Sequence, residues 1–268
     1  MADASIRELF PEKDYRFRVG VRRGDLDAFL RPSADGEAIL AERRRWLEAE
    51  PARYAGLTDA GRPLLAAFHA IASRWGHAAG CALDCRALGA ALEPDFLLLA
   101  ADPAGEYRLE GGALCFPTGW ALEEKMGRTM DFIHGVVPGL NASLGPAIGR
   151  LLARLEESDT WERVNWGFAA SPERNLHPAL ARPRLTAESR PADVWLRVER
   201  QILAGLPSPA RGGVLFAIRI ELTPLQAVLD DAPARRGLAH ALATMDAAVA
   251  TYKGLAAVRP RLLEWARA

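Results

Sequence analysis

The chain has 268 residues, half of them hydrophobic and a quarter charged, with 34 basic side chains against 34 acidic ones. That length buries one sizeable core, and the balanced charge advertises neither nucleic acid nor an anionic membrane as a partner. Three cysteines, an odd number, argue against a disulfide framework and fit a reducing cytoplasm. No apolar run reaches membrane-spanning length, and the opening MADASIRELFPEKDYRF lacks the charged-then-apolar pattern of an export signal. A cytoplasmic location and no membrane partner are therefore expected.

Residues 14–22, DYRFRVGVR, alternate in the strand manner and predict a first, peripheral strand. A helix follows over 36–50, with Ile39, Leu40, Arg43 and Leu47 near helical spacing and Pro51 as its stop. A second is predicted over 59–75, with Thr58-Asp59 as N-cap and Leu64, Leu65, Phe68, Ile71 and Trp75 on one face. Residues 78–92 read as a third. Asp95–Ala100, Tyr107–Leu109 and Ala113–Phe116 then read as short strands separated by DPAGE and EGG turns. Residues 112–138, GALCFPTGWALEEKMGRTMDFIHGVVP, read as a short strand, a turn, a helix of about two turns and a Gly/Pro-flanked segment with one histidine. Residues 141–157 predict a helix capped by Asn141, with Leu144, Ile148, Leu151, Leu152 and Leu155 at helical spacing. Trp161–Phe168 returns to strand alternation. Residues 171–192 hold four prolines and form a long loop, which in a compact domain is either mobile or functional. Val194–Ile202 and Gly213–Glu221 are the clearest strands, and the chain from Thr223 onward is helical and Ala-rich. This order predicts an α+β fold with a curved antiparallel sheet rather than a parallel βαβ array. We expect one unit, 1–268, with a helical N-terminal region over 1–92, a sheet core over 93–222 and C-terminal helices over 223–268.

Some chemistries have no signal. No Gly-rich phosphate loop joins a strand to a helix, and no G-x-S-x-G elbow is present. His77, Cys81 and Cys85 stand four apart and invite a metal reading. On a helix His77 and Cys85 would lie roughly 12 Å apart along the axis, too far to share one zinc ion with donors at about 2.3 Å. Buried thiols on an apolar helix face are the simpler reading. His134 sits between Phe132-Ile133 and Val136-Val137, followed by Gly135. It is either a core histidine that bonds a carbonyl or an imidazole that reaches the iron of a flat macrocycle beside a bare backbone. Glu123, Glu124, Lys125 and Arg128 form a solvated helix face, or else Glu124 points into a pocket as proton donor or substrate clamp. On the strand after Val194, Trp195, Arg197, Glu199 and Gln201 share one face, and Arg163, Asn165, Arg219 and Glu221 continue the pattern on its neighbours. These residues form a cross-strand salt-bridge ladder or a polar wall whose arginines hold carboxylates.

The runs CFPTGWALEEKMG, FIHGVVP, RVNW, LRVERQIL and LFAIRIELTPL, after the opening FRVGVRRGDLDAFLR, occur in this order over most of the chain. Together they resemble the haem-dependent oxidative N-demethylase family, in particular its haem-binding alpha subunit. The match departs at Val136, where the family usually carries proline, and the chain is shorter than typical members. The resemblance implies a PAS-like sheet that binds haem b and acts as a monooxygenase. Dioxygen oxidises an N-methyl group of a small amine such as dimethylamine, and the carbinolamine falls apart to formaldehyde and the demethylated amine. Electrons would come from a separate reductase subunit carrying flavin and an iron–sulfur centre. Carried over by position, His134 is the axial iron ligand and Glu124 a distal acid. Arg163, Arg197 and Arg219 contact propionates or substrate. Two other readings remain open: a non-catalytic haem-binding PAS-like sensor or interaction module, and a haemless relative that kept only the fold. Cys115 in the CFP turn is an alternative ligand of thiolate type.

Overall fold

The computed structural model describes residues 3–75, 78–157, 159–207 and 212–268. Its centre is one antiparallel sheet. The strands are β1 (Arg22–Arg23), β2 (Ala55–Leu57), β3 (Asp95–Ala101), β4 (Tyr107–Ala113), β5 (Thr160–Ala169), β6 (Trp195–Leu206) and β7 (Gly213–Pro224). Among the described residues they run in the order β1-β5-β6-β7-β3-β4-β2. The fold is α+β, with the sheet open and curved. In the long β6–β7 hairpin, alternating residues over Trp195–Gln201 give way to apolar runs on both strands near the turn, and the two strands pair end to end, from Trp195↔Pro224 to Leu206↔Gly213.

The two faces of β6 have different company. On one, Val194, Leu196 and Val198 pack with Leu225, Val228, Leu238, Leu242 and Leu262. Those residues come from the C-terminal helices α9 (Leu225–Asp230), α10 (Ala232–Thr244) and α12 (Arg259–Arg267), with α11 (Ala247–Tyr252) between them. Further along the same face Ile202, Ala204, Leu215, Ala217, Phe96 and Leu98 meet Leu64, Leu65, Phe68 and Leu88. These belong to α5 (Arg62–Ala72) and α6 (Cys85–Ala91), beyond α1 (Asp3–Leu9), α2 (Leu26–Leu30), α3 (Gly36–Ala49) and α4 (Pro51–Tyr54). Every burial of a Leu- or Phe-sized side chain contributes about 1.5–3 kcal/mol, so this face anchors both helical groups.

On the opposite face Leu203, Ile218, Leu97, Leu99 and Leu109 pack under Leu114, Leu122 and Leu152. This cover is lighter: the turn 118–128 and the helices α7 (Met130–His134) and α8 (Leu140–Ala153) lie over the β7–β3–β4 side. A fully buried ion pair ties α3 to the sheet. Arg43 Nη1 donates to Asp95 Oδ1 at 2.5 Å and Arg43 Nε to Gly89 O at 2.7 Å, while Asp95 also accepts from the amides of Cys115 and Phe116. Charges so deep are tolerated because the polar atoms around them are almost all matched; removing one partner would strand the other.

Several local expectations change. Residues 14–21 form no strand; only Arg22–Arg23 pair, with β5, at the sheet edge. The alternation of Tyr15 and Phe17 is satisfied by ring packing, Tyr15 meeting Phe17 and Trp166 edge-on. The expected helix over 78–92 starts only at Cys85, because Asp84 caps it by accepting from Ala87 N at 2.7 Å. Cys81 therefore lies outside the helix and is partly exposed, Cys85 is buried, and His77 lies outside the described residues. The EGG sequence is not a turn but the middle of β4. Gly112 is there because a Cβ would sit 2.4 Å from Phe96 O on β3. The Glu123–Arg128 segment is a run of turns, and the helix comes after it, capped by Thr129 Oγ1 accepting from Phe132 N at 3.2 Å. The cap of α8 is Gly139 rather than Asn141, whose Nδ2 instead donates to Asp131 O at 2.7 Å and joins α8 to α7. The proline-rich segment after residue 170 is pinned: Asn175 Nδ2 donates to Tyr54 OH at 3.0 Å, and buried His177 meets Glu123 at 3.2 Å.

Candidate functional site

β5 and β6 pair with Arg163 opposite Gln201 and Asn165 opposite Glu199. Period two puts these four side chains on the more lightly covered face. Glu199 is their hub. Its Oε1 accepts from Thr118 Oγ1 at 2.5 Å, and its Oε2 from Gln201 Nε2 at 2.7 Å and Asn165 Nδ2 at 3.3 Å. Asn165 is held in turn by Lys253, whose Nζ donates to Asn165 Oδ1 at 3.3 Å and to Trp166 O at 2.5 Å. Burial pushes the Lys253 ammonium down to about 8, with Glu199 opposing and Arg163 assisting. Lys253 also stands 5.8 Å from the Tyr15 ring centroid. Burial drives the Tyr15 phenol well above its ordinary range.

Two groups here have ring or guanidinium nitrogens without a hydrogen-bond partner among the described residues. Burial lowers the pKa of Arg163, with Glu199 and Tyr15 opposing, and its Nε is buried without a hydrogen-bond partner among the described residues. His134 occupies the last turn of α7. Burial, then the Arg163 charge, holds its imidazole below the usual histidine range, against a weaker pull from Asp131. The ring is therefore neutral at pH 7, and it makes no hydrogen bond to a described residue. A neutral, unpartnered imidazole is a nitrogen donor available to an electrophile. Its surroundings are mixed: Ile133 joins the core, Phe132 and Val136 are exposed, and Lys125 and Arg128 stand over the Phe132 ring, each at 5.1 Å.

The five residues singled out in the sequence thus separate. His134 lies within electrostatic reach of Arg163. Arg197 lies on the same face but is 1% exposed, with Nη2 donating to Phe116 O at 2.8 Å and Nε to Thr118 Oγ1 at 2.9 Å. It fixes the turn that supplies Thr118 to Glu199. Arg219 is on the other face and donates to Phe29 O, Arg31 O and Glu93, joining the loop after α2 to the sheet. Glu124 is exposed on the turn before α7. Cys115 is buried, and burial pushes its thiol up to about 12. Lys253, Tyr15 and Thr118 were not legible as site residues. Thr118 lies within the run CFPTGWALEEKMG, and Lys253 is one of three lysines in a chain that otherwise uses arginine.

Among the described residues no group of three or more His, Cys, Asp or Glu side chains could hold a metal ion. An iron with protein ligation from a single imidazole would take its other donors from a macrocycle. The sequence model of the family described as haem-dependent oxidative N-demethylase, alpha subunit-like matches residues 82–263, well over half of the chain. The chain belongs to this family. The matched span contains His134, Arg163, Glu199 and Lys253, whereas Tyr15 precedes it. No helix among the described residues is long and apolar enough to cross a membrane. The residues at hand fit a haem: His134 offers a neutral nitrogen, and the orphaned Nε of Arg163 offers a donor to an anionic or carbonyl oxygen.

Proposed function

We propose that this haem-dependent oxidative N-demethylase-like chain binds haem b through His134 and removes an N-methyl group from a small amine. A separate flavin and iron–sulfur reductase would supply electrons. The observation that carries the reading is the neutral His134, without a side-chain partner among the described residues and within electrostatic reach of Arg163, in a chain of this family. Haem bound there would supply an iron that activates dioxygen. The chain's own role is to hold the imidazole deprotonated by burial and by the Arg163 charge. Arg163 would present its Nε–H to a haem or substrate oxygen. Glu199, rather than Glu124, is the carboxylate that shares this face, and Thr118, Asn165 and Gln201 hold its oxygens. It can take or give a proton at Oε1 through Thr118 Oγ1, or attract a cationic amine. The test is chemical. Haem-loaded protein, given a surrogate flavin/iron–sulfur reductase, dioxygen and dimethylamine, should release formaldehyde in step with loss of amine. Bound haem with no formaldehyde across a panel of N-methylated amines would favour a haem-binding sensor instead.

A further inference from the structure

A cleft of about 370 Å³ opens between the C-terminal half of α8 and the start of β5, lined by Ala147, Arg150, Leu151, Arg154, Asp159 and Trp161. Arg150 and Arg154 stand four residues apart and so lie one above the other at the end of the helix. Both are exposed, and neither forms an ion pair or side-chain hydrogen bond with a described residue. The acid in the lining does not neutralise them. Asp159 Oδ1 takes Arg23 Nη1 at 2.5 Å, and Oδ2 takes Glu156 N at 3.3 Å. Trp161 gives the cleft a flat wall, with the Arg23 guanidinium stacked 4.3 Å from its ring. The helix dipole explains why cations gather at this end of α8, but not why both arginines border an aromatic recess.

The recess is continuous in register with the site already described. Trp161 and Arg163 are two residues apart on β5, so they share a face and are separated by about 7 Å along the strand. α7, which ends in His134, and α8 both pack over this same face. Over one sheet face therefore lie His134 at the end of α7, the Arg163 guanidinium whose Nε has no partner among the described residues, and the Trp161 wall bordered by Arg150 and Arg154 at the end of α8. That sequence of groups suits a flat, largely apolar ring bearing carboxylates on one edge. We propose that the α8–β5 cleft receives the carboxylate edge of the haem, with Arg150 and Arg154 as counter-ions of its two propionates and Trp161 as the apolar wall. The inference rests on the haem reading above and replaces Arg197 and Arg219, whose guanidinium groups are engaged elsewhere.

Titration of apo-protein with haem, followed at the Soret band, tests it against a parallel titration with haem dimethyl ester, in which both carboxylates are blocked. The double variant R150Q/R154Q should bind haem about tenfold more weakly and the ester within about twofold of wild type. R86Q, which removes an exposed arginine on α6, should change neither affinity. Added salt should weaken wild-type haem binding more than that of the double variant. A double variant that binds haem as tightly as wild type overturns the proposal and leaves the haem reading standing. Equal losses for haem and ester overturn it too, because the arginines would then matter to the recess and not to the carboxylates. A wild-type chain with no Soret band overturns the haem reading and this inference with it.

Discussion

Lys253 shows how one residue couples the ends of the chain to the site. Its ammonium is buried beside Asn165, Trp166 and the Tyr15 ring, which holds it near 8 rather than at the ordinary lysine value of 10.5. Because the folded value lies below the unfolded one, the unfolded chain binds more protons between these two pH values. Stability therefore rises with pH across that window, and the penalty of the charged form is greatest below it. With the three lysines carrying ¹³C-methyl labels, the Lys253 resonance should titrate near 8. K253M should flatten the pH dependence of the denaturation midpoint between 8 and 10.5. A variant with the wild-type slope would mean that the ammonium is better solvated than its contacts imply. His134 obeys the same physics in a different role: burial keeps its imidazole neutral, and no described group takes up its nitrogens.

At the level of elements, the site depends on the turn 118–128 being held against β6. Arg197 does this from beneath, bonding Phe116 O and Thr118 Oγ1 while almost wholly buried. R197M should cost about 3 kcal/mol or more in chemical denaturation, since it leaves buried acceptors without a donor. A loss below about 1 kcal/mol would mean that water replaces the guanidinium, contrary to its burial. The junction of the N-terminal segment with α10 rests on close backbone approach. A Cβ on Gly237 would sit 1.7 Å from Phe10 O. G237A should therefore destabilise by about 2 kcal/mol or more, read from the same denaturation curves. These elements were legible to different degrees. The alternation of Trp195–Gln201 gives the faces of β6 directly, but it does not carry across the hairpin: Arg219 and Glu221 pair with Arg200 and Val198 and so lie on the face opposite Arg197 and Glu199. Tyr15 and Phe17 alternate just as cleanly but satisfy the pattern through rings, without a ladder. The charges of Glu123–Arg128 suggest a helix there, but Gly127 takes φ +70° and Thr129 caps the helix that ends in His134. Asp84 gave an equally local sign that no helix runs from 78.

Over the whole molecule, one face of the sheet carries both helical groups, and the other retains a polar strip on β5 and β6 under lighter cover. That division explains why some of the site escaped a reading by motif. His134 and Arg163 lie in recognisable runs, but Tyr15 and Lys253 reach the strip from opposite ends of the chain, and only the fold brings them together. Arg197 and Arg219 alternate along their strands like site residues, yet neighbouring carbonyls from other segments claim them. The proposed haem site unites this strip with α7 and makes His134 the iron ligand. A visible spectrum and iron count of the chain produced with added haem precursor, beside H134A prepared identically, puts that site to the test. A Soret band with about one haem per chain is expected for the wild type, and no band for H134A. A colourless wild type, or an H134A variant with an unchanged Soret band, would contradict the haem site.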